Sequence, residues 1–346
     1  MSAGETSENR FSQRASAARL SPLWAFFKDW FAAEPRTEAV PHLWRYDDWR
    51  PVVLDSAAAV STADAERRVL VLENPGLAGR HLATGAMYAG LQLIMPGEFA
   101  RAHRHTAAAL RFIVEGENTY TAVAGERCYM RPGDFIVTPS WTWHEHRNES
   151  TEPTIWLDVL DVPLIRFLSA GFSEHYAELE YPATAPPGDS HLRYGRHLLP
   201  VGFARGSGAS PVFSYPFDHA YEALDHLRVH SELDAWHGVK MEYIDPTTGG
   251  PAIPTISTFL QLVPPGFATA PYRTTASSVV SVVRGRGRVT IGYGAEAATF
   301  EYAPKDLWAV PSWQHVSISA TEESVLFSAS DEAVHRKLGV WREERR

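Results

Sequence analysis

One cysteine, Cys128, stands in the whole chain. No disulfide can form within it, and a reducing cytosol is the expected setting. No apolar run approaches the roughly 20 residues needed to cross a bilayer, so no membrane partner is expected. Long blocks of Lys or Arg are also missing. The 32 basic residues are outnumbered by 41 acidic ones, giving a net charge of -9. That balance argues against nucleic acid as a partner. It does not exclude a small anionic substrate, because one buried arginine overrides the global field locally. The stretch Met1–Arg10 lacks the basic start and apolar core of a secretory signal. We therefore expect a soluble, cytoplasmic protein. Material for a core is not in short supply: 45% of the residues are apolar and 21% charged, and 346 residues suffice for two domains.

The first 15 or so residues are small and polar and are expected to be disordered. SPLWAFFKDWFAA, from Ser21 to Ala33, has helical spacing, with Ser21 as N-cap and Pro22 at the first helical position. Beyond Trp49 short β-prone runs alternate with Gly, Pro, Asn and Asp, as in RRVLVLENPG and ALRFIVEGENTYTAVAGE. Between Ile165 and Gly250 the texture changes, and HAYEALDHLRVH reads as an amphipathic helix. Strand texture then returns. The two β regions are copies. LQLIMPGEFARAHRHTAAALRFIVEG aligns with LQLVPPGFATAPYRTTASSVVSVVRG, and GDFIVTPSWTWHEH with KDLWAVPSWQHVSI. Gly97 pairs with Gly266, Gly116 with Gly285, Asp134 with Asp306 and Pro139 with Pro311, at offsets of 169 to 172 residues. This is a duplication. The expected fold is mainly β, two β-barrel or jelly-roll domains with flanking helices. We divide it into an N-terminal tail and helix (1–48), a metal-binding domain (49–164), a helical and loop connector (165–250), a metal-free domain (251–335) and a tail (336–346).

In the first copy His103 and His105 are two residues apart, so on a strand they share a face. His144, in a later strand-like segment, is the third candidate ligand. Three imidazoles on one side of a metal leave positions open for substrate and oxygen. The Gly97, His103, His105 and Gly133, Pro139, His144 pattern resembles the two motifs of the cupin superfamily. Many cupins place a Glu ligand shortly after the second His. Here Ala109 and Leu110 stand there, which leaves a three-His site. The second copy has Tyr272, Thr274 and Val316 at the three ligand positions, with His315 one residue out of register. No metal is expected there. The remaining histidines, His237 among them, read as loop or helix-surface residues.

RRVLVLENPGL, YAGLQLIMPGE, AHRHT, MRPGDFIVTPSWTWHEH and DAWHGVKMEYIDPTTGGPAIPTI carry a narrower resemblance, to the gentisate 1,2-dioxygenase family. It runs from about Leu43 to about Ser330. It implies Fe(II) on His103, His105 and His144, and a hydroxylated aromatic carboxylate and O2 as partners. It implies substrate contacts at Gln92, Arg111, His146 and Asp158, with Arg67 or Arg68 and Tyr88 nearby. It also implies a homo-oligomer, a tetramer. His146 and Asp158 are the candidate catalytic residues: His146 to shuttle the phenolic proton, Asp158 to orient a polar partner. Arg111 lies six residues after His105 and, by even spacing, should face the same interior, where a guanidinium grips a carboxylate bidentately. The expected reaction is ring cleavage between the carboxyl-bearing and hydroxyl-bearing carbons of gentisate, giving maleylpyruvate. Salicylate, 5-substituted salicylates and 1-hydroxy-2-naphthoate are the alternative substrates, because Gly90, Ala107 and Ala108 are small and leave room. From other classes, a non-catalytic acid-binding bicupin and an isomerase-type cupin compete with this reading.

Overall fold

The computed structural model describes residues 7–204 and 208–346. It divides into two compact units, residues 1–36 and 37–346. In the first, residues 1–6 of the segment expected to be disordered lie outside the described residues, and Ser7–Ala17 is a helix. The helix expected from Ser21 to Ala33 is not continuous. A 3-10 turn at Leu23–Ala25 is followed by one helical turn at Phe27–Trp30. Short helices owe their stability to a packed face, and Trp24 and Trp30 are 74% and 72% exposed. Their aromatic neighbours pair locally instead, Phe11 with Trp24 and Phe27 with Phe31.

The second unit holds both β copies. The first copy's six-stranded sheet runs Ser214–Tyr215, Phe135–Thr138, Ala109–Glu115, Thr154–Leu160, Tyr88–Ile94, Val69–Val71. Its five-stranded sheet runs Ser173–His175, Phe99–His105, His144–Asn148, Thr119–Val123, Glu126–Met130. The second copy repeats the plan. Its six-stranded sheet is His42–Trp44, Leu307–Val310, Ser278–Arg284, Ser324–Ser330, Ser257–Val263, Val239–Glu242. Its five-stranded sheet is Ala298–Tyr302, Gly287–Ile291, Val316–Ala320, Tyr272–Thr274, Glu343–Arg345.

The copies exchange edges. His42–Trp44, which precedes the first copy, pairs with Leu307–Val310 of the second. Ser214–Tyr215, which precedes the second copy, pairs with Phe135–Thr138 of the first. Each edge strand runs into a helix, Tyr46–Ala59 and Phe217–His230. The duplicated aspartates cap those helices: Tyr46 N–H donates to Asp306 Oδ1 at 2.8 Å and Phe217 N–H to Asp134 Oδ1 at 2.8 Å. The outward faces of the six-stranded sheets share one apolar core. Leu91, Leu110, Phe112 and Leu157 of the first copy meet Leu260, Leu262 and Phe327 of the second, and Phe112 stacks on Phe327 at 4.0 Å. The inward faces form a separate core in each barrel. Period-2 alternation thus sends one side chain to the joint core and the next into a barrel.

Gly116 and Gly285 show why the duplication kept glycine. Both have positive φ, and a Cβ would come within 2.2 Å of Thr154 at the first and within 2.2 Å of the Glu323 carbonyl oxygen at the second.

Candidate metal centre

His103 and His105 end the strand Phe99–His105, past a bulge between Ala100 and His103. His144 opens the neighbouring strand and lies directly opposite His103. The ring centroids are 4.1 Å apart for His103 and His144, 4.9 Å for His105 and His144, and 5.2 Å for His103 and His105. One nitrogen from each ring lies within 4.8 Å of the other two. Among the described residues this is the one group of three or more metal-capable side chains.

Hydrogen bonds orient the rings. His105 Nδ1 lies 2.7 Å from the Ala107 carbonyl and His144 Nδ1 2.9 Å from the Thr142 carbonyl. A carbonyl only accepts, so each Nδ1 carries the proton and each Nε2 offers a lone pair. His144 Nε2 is buried without a hydrogen-bond partner. A buried acceptor left unanswered is costly, and a metal ion answers it. Burial, helped by Arg67, His105 and Arg111, pushes His103 down to about 2, and burial lowers His105 and His144 as well. The three rings are neutral, the form that ligates a metal. The donor set fits a divalent transition metal with open coordination positions.

The strand Phe99–His105 is also gripped from outside. Arg104, between the two ligands, points the other way and lies 4.4 Å from the ring centroids of both Trp141 and Trp143. Its Nε and Nη2 donate to Glu174 Oε2 at 2.9 and 2.6 Å. Trp143 directly precedes His144, so this sandwich ties the two ligand-bearing segments together. Sequence reading passed over it; a charged residue alternating with two ligands was the available signal.

The six-stranded sheet supplies the facing wall. Asp158 stands opposite Gly90 on one side and Arg111 on the other, while Trp156 stands opposite Gln92. Gln92, Asp158 and Arg111 are all buried. Arg111 Nη1 donates to Thr138 Oγ1 at 2.5 Å, and its Nε lies 3.5 Å from Asp158 Oδ1. Thr138 was not anticipated from the sequence. Burial pushes Asp158 up to about 6 against the opposing pull of Arg111 and Arg67. Arg111 does face the histidines, as expected, but not because of its even spacing from His105. The turn between His105 and Ala109 separates two sheets, so parity does not carry across it.

Of the two candidate arginines, Arg67 lies against the three-histidine cluster and Arg68 does not. Arg67 Nη2 touches His103 Nδ1 and donates to the Arg101 carbonyl at 2.8 Å. Arg68 is fully engaged elsewhere, with Glu98 at 2.9 and 2.7 Å and the Val60 carbonyl at 3.1 Å. His146 is buried, its Nδ1 2.9 Å from Thr121 Oγ1 and its Nε2 without a partner. Thr121 directs its hydroxyl hydrogen to Met130 Sδ at 3.4 Å. It therefore accepts from His146 Nδ1–H, which leaves Nε2 as a free acceptor. Burial, reinforced by Arg111 and Arg67, holds this imidazole neutral.

Tyr88 is half-buried, and burial followed by Asp158 raises its hydroxyl pKa. The room expected beside Gly90 and Ala108 is otherwise used. A Cβ on Gly90 would meet the Val69 side chain at 2.6 Å and the Tyr88 hydroxyl at 3.1 Å. Ala108 faces the joint core, and its N–H donates to Asp161 Oδ1 at 2.8 Å. Asp161 also accepts from Thr255 at 2.6 Å, which makes it a structural tie between the copies.

In the second barrel Tyr272 lies opposite Val316, as His103 lies opposite His144. His315 packs near Tyr293, 5.4 Å between centroids. His237, expected on a surface, is half-buried beside Tyr272 and lines that barrel's cavity.

Two cupin-like barrels, one with a three-histidine cluster suited to a metal and one without, define a bicupin. The cupin domain family matches residues 90–160. A gentisate 1,2-dioxygenase of Aquipseudomonas alcaligenes is 43% identical over 335 residues, 97% of this chain and 95% of that protein. A 5-aminosalicylate 1,2-dioxygenase of Comamonas sp. is 33% identical over 98% of this chain and 91% of its own length. The salicylate 1,2-dioxygenase of Pseudaminobacter salicylatoxidans, whose structure is known, superposes with a TM-score of 0.90 at 31% identity, covering 99% of each chain. The chain belongs to the gentisate 1,2-dioxygenase family.

Proposed function

We propose that this enzyme uses Fe(II) to cleave gentisate between its carboxyl-bearing carbon and the adjacent hydroxyl-bearing carbon, giving maleylpyruvate with both atoms of O2 in the product. The observation that carries the reading is the convergence of three neutral imidazoles facing a buried arginine, with no carboxylate in the ligand set. His103, His105 and His144 would hold the iron. Bound there, iron would supply the redox and Lewis-acid chemistry that brings O2 and the hydroxy acid to react.

The chain's own residues do the rest. Arg111 pairs with the substrate carboxylate, and burial strengthens that pairing. Thr138 holds the guanidinium through Nη1, Asp158 faces Nε as a charge partner at 3.5 Å without a hydrogen bond, and the remainder of the fork is left for substrate. His146 Nε2 accepts the hydrogen of the ring hydroxyl, and Thr121 holds the ring in the tautomer that permits it. Arg67 adds positive charge beside His103. Gln92 lines the floor of the same face, two residues from Gly90. Tyr88 and Asp158 make a polar stretch of wall suited to the second hydroxyl that gentisate carries and salicylate lacks.

Salicylate, a 5-substituted salicylate or 1-hydroxy-2-naphthoate is the second reading, supported by relatives named for such substrates. Oxygen uptake by the Fe(II)-loaded enzyme, measured with each acid, tests the choice. Gentisate is expected to give the highest kcat/KM. A higher value with a monohydroxylated acid would reassign the substrate. No uptake with any of them, iron bound, would return the chain to the acid-binding class. We further propose a cytoplasmic homotetramer, supported by the exposed aromatics of residues 23–31. Light scattering of the purified protein checks the assembly.

A further inference from the structure

We propose that His226 and His230 form a second metal site, a two-imidazole chelate for a divalent transition metal such as zinc, on the exposed face of the helix Phe217–His230. Residues four apart on a helix stand side by side, and two histidines at that spacing bind zinc from one helix face. The run LDHLRVH, which closes this helix, places them so.

The rings are already together. Their centroids are 4.4 Å apart, with 45° between the planes. The three pairs of the three-histidine cluster stand 4.1, 4.9 and 5.2 Å apart. His226 and His230 fall inside that range, so one ion reaches both while the helix stays as it is. The neighbouring pair, His191 and His219, fails the same comparison. Its centroids are 5.5 Å apart, wider than any pair of the cluster, and its two residues sit on different helices.

The setting favours a cation. His230 is the last residue of the helix, where the carbonyls left without helical partners carry partial negative charge. The groove beside the pair is lined by Asp218, Glu222 and Asp225. Two arginines lie close by, and each has a carboxylate partner. Arg228 meets Asp225 at 2.7 Å, and Arg284, stacked on Tyr221, meets Glu323 at 2.5 Å. Asp218 and Glu222 then leave the groove with negative charge in excess. Both imidazoles are exposed, so an ion reaches them from solvent.

The fold does not require the pair. The helix Tyr46–Ala59 is its counterpart in the other half, capped in the same way, and there Asp55 and Ala59 occupy the matching positions. No residue assigned to the proposed reaction lies on the helix Phe217–His230. The donors also select the ion. Imidazole suits zinc, copper and nickel, and Fe(II) binds a given site more weakly than these, so iron loading fills the three-histidine cluster and not this pair. Two protein ligands leave two of zinc's four positions to water.

The test is equilibrium dialysis of the full-length, Fe(II)-loaded protein against zinc over a range of concentrations, under nitrogen, with both metals counted by elemental analysis. Saturable uptake of one zinc per chain is expected, with the iron retained. That zinc should be lost in His226→Ala and in His230→Ala and kept in His219→Ala. Oxygen uptake by all three variants should match that of the parent enzyme, which also shows that they fold. No zinc beyond the iron, zinc that enters only as iron leaves, or uptake undiminished in His226→Ala and His230→Ala would each overturn the proposal.

Discussion

In the first barrel the row across the six-stranded sheet reads Gly90, Asp158, Arg111, Ile136; in the second it reads Phe259, Ser328, Val280, Trp308. The strands, their order and their register are the same, and what projects inward differs. Features present in both barrels belong to the scaffold. Asp134 and Asp306 cap the paired helices, and Asp161 and Asp331 accept from Ala108 N–H and Ser277 N–H. Arg104 and Arg273 each bind a glutamate on the neighbouring edge strand and stack on Trp141 or Trp313. Features present once are those to which the proposed function assigns the chemistry: the three histidines, His146 with Thr121, and the Arg111–Asp158 pair. Arg104 straddles the division, because its second aromatic partner, Trp143, gives way to His315 at the matching position of the other copy.

Each prediction sets a change in one barrel against its mirror in the other. The largest effect is expected for His144→Ala, which should lose stoichiometric metal and all measurable oxygen uptake, while Val316→Ala retains both; metal analysis with oxygen uptake decides. Next comes Arg111→Met. It removes the carboxylate partner and strands Asp158, an unpaired buried charge costing about 3–5 kcal/mol. A fall in kcat/KM of about 100-fold or more is expected in steady-state assays, with less than a twofold change for Val280→Ala. Arg104→Ala should weaken metal affinity about tenfold, read by competition with a chelator, while Arg273→Ala leaves it unchanged although both lower the melting temperature.

The smallest effect is one of pH. Burial raises Asp158 to about 6, above the ordinary aspartate value near 3.9. Between those values the folded chain holds a proton that the unfolded chain releases, so this residue's contribution to stability falls as pH rises from about 4 to 6. Its ionised form is the one that orients Arg111. Hence kcat/KM should rise with an apparent pKa of about 6, and Asp158→Asn should flatten that limb. A limb unchanged by the substitution would assign it to another group.

The three-histidine cluster and the duplication were legible in the sequence because both rest on local spacing. His103 and His105 need only strand periodicity, and Gly116 and Gly285 mark a turn whose constraint is local too. What stayed hidden depends on long-range pairing. Nothing near His42–Trp44 says that it completes the distant barrel, and nothing near Arg67 and Arg68 says which one Glu98 will occupy. The small residues misled for the same reason: the space beside Gly90 is taken by Val69 and Tyr88, which only the folded sheet brings there. The aromatic segment after Ser21 carried helical spacing but no packed face, so its periodicity did not become a continuous helix.

The two barrels differ most in that only the first is equipped to hold a metal. Anomalous diffraction at the iron edge from crystals of the iron-loaded enzyme tests it most directly. One peak per chain is expected, within bonding distance of a ring nitrogen of each of His103, His105 and His144. A second peak among Tyr272, Thr274 and Val316, or no peak at the three histidines, would contradict it.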